Sequence, residues 1–484
     1  MITFTVILKL FQMKIYRIFI AVSLLIITGS QISTANVDPV VKPNISLTLV
    51  PPSPVTDQIT LDVRAGIWNN TNVRKKVKVW VYLDTEKKRN LLHRQTITIE
   101  ANANAGVKFP WSTKNMAGNH KIILVTKSGK EVLRKERQMQ VLASTIRSTK
   151  KIDGAWFGFY HWSEAEGKYW NAELKKATDA QWGEMMEDQS KLDMNVIVIQ
   201  DVIRNPEAYA GKHKIETEGY KGVAYYPSTI IPERFALSAT DPLEAVLASA
   251  DKNNMNVFIG VGSYAWFDFT KGSLEWHKKL ADELWAMYGH HQSFYGWYVS
   301  EEQDGGLGDA QARVDIVHFF KEFKAYVNKI APDKPIMLAT NSHNIRGAED
   351  TYRKLLPNLD ILCPFGFHRM PATDLTGEQA ATKLQQLCNE AGSHLWMDME
   401  IFDFAENNAL VPRSIKGVIS DLHRFPNFEK ILCYQYPGLL NSPTASIKPG
   451  GPNTVKLYQD YMQYLDSIKI PVKALKAVAD KHNH

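Results

Sequence analysis

The chain has 484 residues, 44% of them hydrophobic and 22% charged, an ordinary globular make-up that excludes disordered, collagen-like and fibrous classes. The formal charge is +6, half of it from Lys9, Lys14 and Arg17 near the N-terminus; so small a balance argues against a nucleic-acid binder, which carries a dense basic face. The three cysteines, Cys363, Cys388 and Cys433, are too few for a disulfide framework.

Residues 1–35 read as a cleavable export signal. Lys14 and Arg17 form a basic start, Ile18 to Ile27 an apolar run, and Ser33-Thr34-Ala35 a small-residue cleavage site. The run is shorter than the ~20 residues a membrane-spanning helix needs. With no cysteine following to carry a lipid, the expected location is secreted or periplasmic, with no membrane contact beyond the signal.

Residues 36–147 read as all-β. Ile59–Val63, Val77–Leu83, Thr96–Glu100, Lys121–Thr126 and Arg137–Leu142 are short strand candidates, Val77–Leu83 with strict alternation. Asn69-Asn70, Asn104-Ala105-Gly106 and Ser128-Gly129 are the turns between them. That spacing predicts an immunoglobulin-like β-sandwich.

Over 151–470 the pattern changes to short apolar runs alternating with amphipathic helices. The strands expected are Ala155–Phe159, Asn195–Gln200, Asn256–Gly262, Phe294–Val299, Pro335–Thr340, Asp360–Pro364, His394–Met399 and Lys430–Tyr436. Asp241-Pro242 caps one helix, Ser273 precedes another, Thr376 with Gln379 forms a capping box, and Pro412 opens a further one. Eight β-then-α rounds without a Gly-rich phosphate turn predict a (β/α)8 barrel rather than a doubly wound sheet. Residues 471–484 are left as a tail.

In such a barrel the chemistry sits just past the C-terminal ends of the strands. Two tips there are acidic. Strand four ends in Ser300-Glu301-Glu302 and strand seven in Asp398-Met399-Glu400. Facing carboxylates are what glycoside cleavage uses, one as acid on the leaving oxygen, the other as nucleophile or base. Alternation puts Asp398 and Glu400 on one face, with Met397 and Met399 on the other. On strand four it separates Trp297, Val299 and Glu301 from Tyr298, Ser300 and Glu302 without saying which set turns inward. Aromatic residues that could floor sugar rings are Trp156, Tyr160, Trp162, Tyr226, Tyr264, Trp266, Trp297 and Tyr436. Polar substrate contacts are expected from His161, Asn341, His343, His368 and Gln435. The long stretch after strand two adds Tyr225 and Arg234. No HxxxH or CxxC spacing suggests a metal, and no cofactor is expected.

Gly296 to Glu301 (GWYVSE) resembles the strand-four end of the large clan of retaining barrel glycosidases, where an Asn-Glu pair carries the acid/base; here Ser300 replaces the Asn. Trp396 to Phe404 (WMDMEIFDF) resembles that clan's strand seven, which carries the nucleophile. Together with Asp241 to Gly262, these segments are similar to a family of secreted bacterial barrels known as domain of unknown function 4434, regarded as glycosidase-like. Its strand six often ends in Pro-Gln-Asp, where this chain has Pro364-Phe365-Gly366. The resemblance implies a retaining glycoside hydrolase with a carbohydrate substrate, Glu301 as acid/base (Glu302 or Asp398 as alternatives) and Glu400 as nucleophile. Two rivals stand beside it. One is a non-catalytic carbohydrate-binding barrel; the other is a metal-dependent hydrolase using Asp398, Glu400 and His368.

Overall fold

The computed structural model describes residues 44–205, 222–262 and 266–468. The expected export signal, the 471–484 tail and Tyr264 lie outside them.

The first part is built from eight strands: β1 (Ile45–Val50), β2 (Val55–Thr56), β3 (Thr60–Trp68), β4 (Lys75–Leu83), β5 (Leu91–Ile99), β6 (Asn104–Ser112), β7 (Gly118–Ser128) and β8 (Glu131–Leu142). They form two sheets, ordered β1-β3-β6 and β2-β8-β7-β4-β5. Period-two alternation on β4 buries Val77, Val79 and Val81 while Lys76 and Lys78 stay exposed. These valines share one core with Leu47, Leu61 and Val63 of the other sheet. Asn104-Ala105-Gly106, expected to turn, instead opens β6, with Asn104 paired to Trp68. The turn lies just before it, where Asn102 adopts φ 54°, a left-handed conformation that Asn tolerates.

The second part contains nine parallel strand segments: β9 (Gly154–Phe157), β10 (Val196–Ile199), β11 (Asn256–Gly260), β12 (Phe294–Gln303), β13 (Ile336–Thr340), β14 (Ile361–Leu362), β15 (His394–Leu395), β16 (Met397–Glu400) and β17 (Ile431–Tyr434). Their order is β15-β14-β13-β12-β11-β10-β9-β17-β16. Only Trp396 separates β15 from β16, so the two edges of the sheet are one stretch of chain. The Trp396 amide donates to Leu362 O and the Met397 amide to Lys430 O, each at 2.9 Å. This closes an eight-stranded barrel.

Helices α1 (Asp179–Ser190), α2 (Pro242–Lys252), α3 (Lys271–Tyr288), α4 (Ala310–Val327), α5 (Glu349–Leu355), α6 (Gly377–Ala391), α7 (Ile415–Arg424) and α8 (Pro452–Ile468) alternate with the strands. Each strand divides its side chains between two cores. Trp156, Val198, Phe258, Tyr298, Met337 and Trp396 fill the barrel. Phe157, Ile197, Ile199, Val257, Trp297 and Val299 pack toward the helices. Among the described residues no helix is long and apolar enough to cross a membrane.

The sandwich covers the N-terminal end of the barrel. Val50 joins the barrel's inner core. The Tyr295 hydroxyl donates to Leu49 O, the Lys430 ammonium to Pro54 O and the Asn195 amide to Ser53 O, each at 2.6 Å. Asn195 and Lys430 immediately precede strands and Tyr295 is the second residue of β12, so the opposite, C-terminal mouth is left for a site.

Candidate functional site

The strand-four tip is irregular. The register between β12 and β13 slips between Val299 and Gln303, and Glu302 sits at φ 53°, an unusual conformation for a non-glycine residue. The inward set is Tyr298, Ser300 and Glu302. Tyr298 fills the barrel, and Ser300 and Glu302 line a cavity of about 320 Å³ at the mouth. Of the two glutamates expected at this tip, Glu302 lines the cavity, whereas Glu301 is fully buried. Glu302 has the mouth position.

Burial pushes the Glu302 carboxyl up, and the charges of Glu400 and Glu166 push it further. A hydrogen bond from Trp266 and the charge of Arg369 act against them, and the net result is a value of about 7. The Trp266 indole N–H donates to Glu302 Oε2 at 3.2 Å.

At the strand-seven tip, Glu400 is only 3% exposed. Arg369 Nε donates to its Oε1 at 2.7 Å, and His368 Nδ1 lies 3.0 Å from Oε2. Burial pushes this carboxyl up as well, but the hydrogen bonds and charges of His368 and Arg369 outweigh it, holding Glu400 below the usual carboxylate value. Asp398 lies two residues earlier on the same face, while Met397 and Met399 join the outer core. Burial, then the charges of Glu400 and Glu302, push Asp398 well above the usual carboxylate range.

The expected binding residues divide. Trp266 stands edge-on to Trp162 at 4.8 Å, and both line the cavity with Tyr160, Tyr225 and Phe235. The Tyr160 hydroxyl donates to Glu164. His161 is buried, and burial followed by the charge of Arg204 pushes it down to about 3; its Nε2 lies 3.5 Å from Glu166. His343 is also lowered, by burial and then Arg369, and feels Glu400. The Asn341 side-chain oxygen accepts from the amides of Gly305 at 2.8 Å and His343 at 3.0 Å, bracing the loops after β12 and β13. Gln435 is buried and donates to Pro437 O at 3.0 Å.

Four expected contacts are core residues instead. Trp156 is inside the barrel, edge-on to Tyr298 at 5.6 Å. Trp297 packs against Phe294 at 4.8 Å in the outer layer. Tyr226 donates to Glu283, and Tyr436 belongs to the outer core. Arg234 is exposed and bonds back to Thr240 O.

Sequence reasoning did not single out Arg369, Glu166 or Arg204. Arg369 was findable, standing beside His368 at the strand-six tip. Arg204 is tied to Asp201 by Nε at 2.8 Å and Nη2 at 2.5 Å; its i,i+3 spacing from that acid just past β10 was the available signal. Glu166, raised to about 7 chiefly by burial, lies in an irregular loop that no periodicity marks. Among the described residues, the group with ligand atoms close enough to share a metal ion is Glu244, His290 and His291, beside α2; it includes none of the three residues of the metal-dependent reading.

Residues 152–447 match the family described as Domain of unknown function (DUF4434). The chain belongs to this family. No curated protein matches it. Among solved structures, the DUF4434 chain is similar to one described as a "putative alpha-L-fucosidase" from Bacteroides thetaiotaomicron, with 16% identity and a TM-score of 0.49, covering 67% of this chain and 96% of that one. It is also similar to a beta-galacturonidase from Eisenbergiella tayi, at 11% identity and a TM-score of 0.38, covering 88% and 72%. A third is beta-glucuronidase 2 from Bacteroides uniformis, at 12% identity and a TM-score of 0.35; 82% of the DUF4434 chain matches, spanning 46% of that protein.

Proposed function

We propose that this chain is a glycoside hydrolase that cleaves O-glycosidic bonds of an oligo- or polysaccharide by a retaining, two-carboxylate mechanism. Glu302 is the acid/base and Glu400 the nucleophile. The observation that carries this reading is the divergence of two carboxyls in one barrel mouth: Glu302 is pushed up to about 7 and Glu400 is held down. Separated values of this kind assign an acid and an ionised partner. Glu302 protonates the leaving oxygen as Glu400 attacks the anomeric carbon. Once Glu400 is bonded to the sugar its charge is gone, and one of the influences raising Glu302 goes with it. Glu302 can then take a proton from the water that releases the product. Trp162, Trp266 and Tyr160 supply apolar walls for sugar faces.

A non-catalytic carbohydrate-binding barrel is the second reading. It is favoured by the occupation of Glu400 by Arg369 and His368, an arrangement that also suits a fixed contact. We read the β-sandwich as immunoglobulin-like and residues 1–35 as an export signal; two facing sheets around one core support the former, the basic-then-apolar pattern the latter.

The test is activity of the chain without residues 1–35 on polysaccharides and aryl glycosides, beside Glu400→Gln. The expected loss is at least about a thousandfold, roughly 4 kcal/mol. Glycan binding without cleavage by either protein would decide for the binding barrel.

A further inference from the structure

The cavity at the mouth holds a concentration of unanswered polar groups. Gln200 Oε1, Asp201 Oδ1, Arg204 Nη1, Tyr225 Oη and Ser300 Oγ are buried and have no hydrogen-bond partner among the described residues, and all five residues line the same cavity. Folded proteins leave few buried polar atoms unpaired. Here they gather in about 320 Å³ beside the rings of Tyr160, Trp162 and Trp266, the mixture of apolar wall and few convergent polar groups that marks a small-molecule pocket.

The Asp201–Arg204 pair sets the chemistry. Arg204 directs Nε and Nη2 at a single oxygen, Asp201 Oδ2. That edge of its guanidinium, which would otherwise clasp a carboxylate with two parallel bonds, is occupied. What the pair leaves unpartnered beside the cavity is one acceptor, Asp201 Oδ1, and one donor nitrogen, Arg204 Nη1. Two neighbouring hydroxyls answer this pattern, one donating and one accepting, because a hydroxyl does both. A ligand carboxylate, sulfate or phosphate brings no donor, and it would face the carboxyls of Asp201 and Glu164 lining the same cavity.

We infer that this cavity takes a neutral sugar ring, held through a pair of adjacent hydroxyls by Asp201 and Arg204, and discriminates against sugars that carry a carboxylate. The inference rests on the carbohydrate reading of the mouth but not on catalysis, since a binding barrel would need the same pocket.

The experiment is calorimetric titration of the full chain with methyl glycosides of neutral hexoses and with the matching methyl uronides, which differ only in carrying a carboxylate at C6. At least one neutral glycoside should bind tenfold or more tightly than its uronide. Asp201→Asn should weaken that binding about tenfold and narrow the preference, because a charged acceptor is replaced by a neutral one. A buried ion pair can be needed for folding, so Ser300→Ala is measured alongside, with a severalfold loss for the neutral glycoside expected and an unchanged thermal transition as the folding control. A uronide that binds as tightly as its neutral partner overturns the inference and leaves the carbohydrate reading standing. Failure of every glycoside, neutral and acidic, to bind or be cleaved overturns both.

Discussion

Glu302 shares the inward parity of Tyr298 and Ser300, at a strand end where the register with β13 slips and its own backbone is left-handed. Trp266 donates to its carboxyl there. The two neighbouring glutamates should therefore respond differently. Glu302→Gln should lower kcat/KM by a hundredfold or more with little change in Tm, general acid catalysis being worth about 10²–10⁴. Glu301→Gln should act mainly on Tm, because Glu301 is fully buried whereas Glu302 lines the cavity. The pH profile follows from the same geometry. The acid must hold its proton, so activity falls as pH rises through about 7. The nucleophile must be ionised, so the acidic limb lies below the usual carboxylate value. Trp266→Phe removes an N–H that favours the Glu302 carboxylate, and the basic limb should move to higher pH. Arg369→Met removes donors that hold Glu400 down, and the acidic limb should also move up. If kcat/KM profiles of these variants leave both limbs in place, the assignment of the two carboxyls fails. The Asp398/Glu400 side of the site was legible in the sequence because β16 is regular and simple alternation applies. The Glu301/Glu302 choice was not, because alternation alone does not say which face of β12 turns inward, and the strand end is irregular.

At the scale of elements, the eight barrel strands lie where the alternation of apolar runs and amphipathic helices put them. The capping box of Thr376 and Gln379 does open α6. The aromatic residues were harder to read. In a closed barrel every strand feeds two cores, one inside and one beneath the helices. An aromatic in mid-strand belongs to one of them, and the mouth is reached only by residues past the strand end or at its last inward position. Trp156 and Trp297 obey that rule as core residues, whereas Trp162 and Trp266 lie beyond β9 and β11 and line the cavity. The two classes are separable by experiment. Trp297→Ala should cost about 3–5 kcal/mol of stability, as large-to-small changes in packed cores do, measured by denaturant unfolding. Trp162→Ala should leave that stability within about 0.5 kcal/mol of the parent, as surface changes usually do, and raise KM or Kd for the glycan. β1 and β6 escaped the sequence reading for a related reason. β6 carries Pro110 and begins with Asn and Gly, residues that ordinarily punctuate strands; only pairing along the whole of β3 makes it one.

At the scale of the molecule, the sandwich closes the end of the barrel that the site does not use, and the closure contains buried charge. Arg64 reaches Asp62 and Asp360 at 2.7 Å each, Lys108 reaches Asp62 at 2.7 Å, and His394 lies between Glu429 at 2.6 Å and Asp62 at 3.4 Å. Burial raises both aspartates, but His394, Arg64 and Lys108 at Asp62, and Arg64 and Lys324 at Asp360, overcome it and hold both below the usual carboxylate range. Burial lowers His394, but Glu429 and Asp62 overcome it and bring it up to about 9. The linkage then has two signs. The aspartates stabilise the fold above their unfolded values, near 3.9, and that contribution is lost as pH falls through their depressed folded values. The histidine's contribution is complete below its unfolded value of 6.5 and is lost as pH rises through about 9. Tm should therefore decline between pH 6.5 and 9 in the parent and decline less in His394→Gln. Arg64→Met takes from two buried carboxylates the cation they share and should cost about 3–5 kcal/mol. Because the network lies at the N-terminal ends of the strands, the same variant, assayed where it is still folded, should keep the parent's pH–activity limbs. A shift of those limbs with Tm unchanged would mean that the sandwich acts on the mouth through the barrel rather than closing its far end.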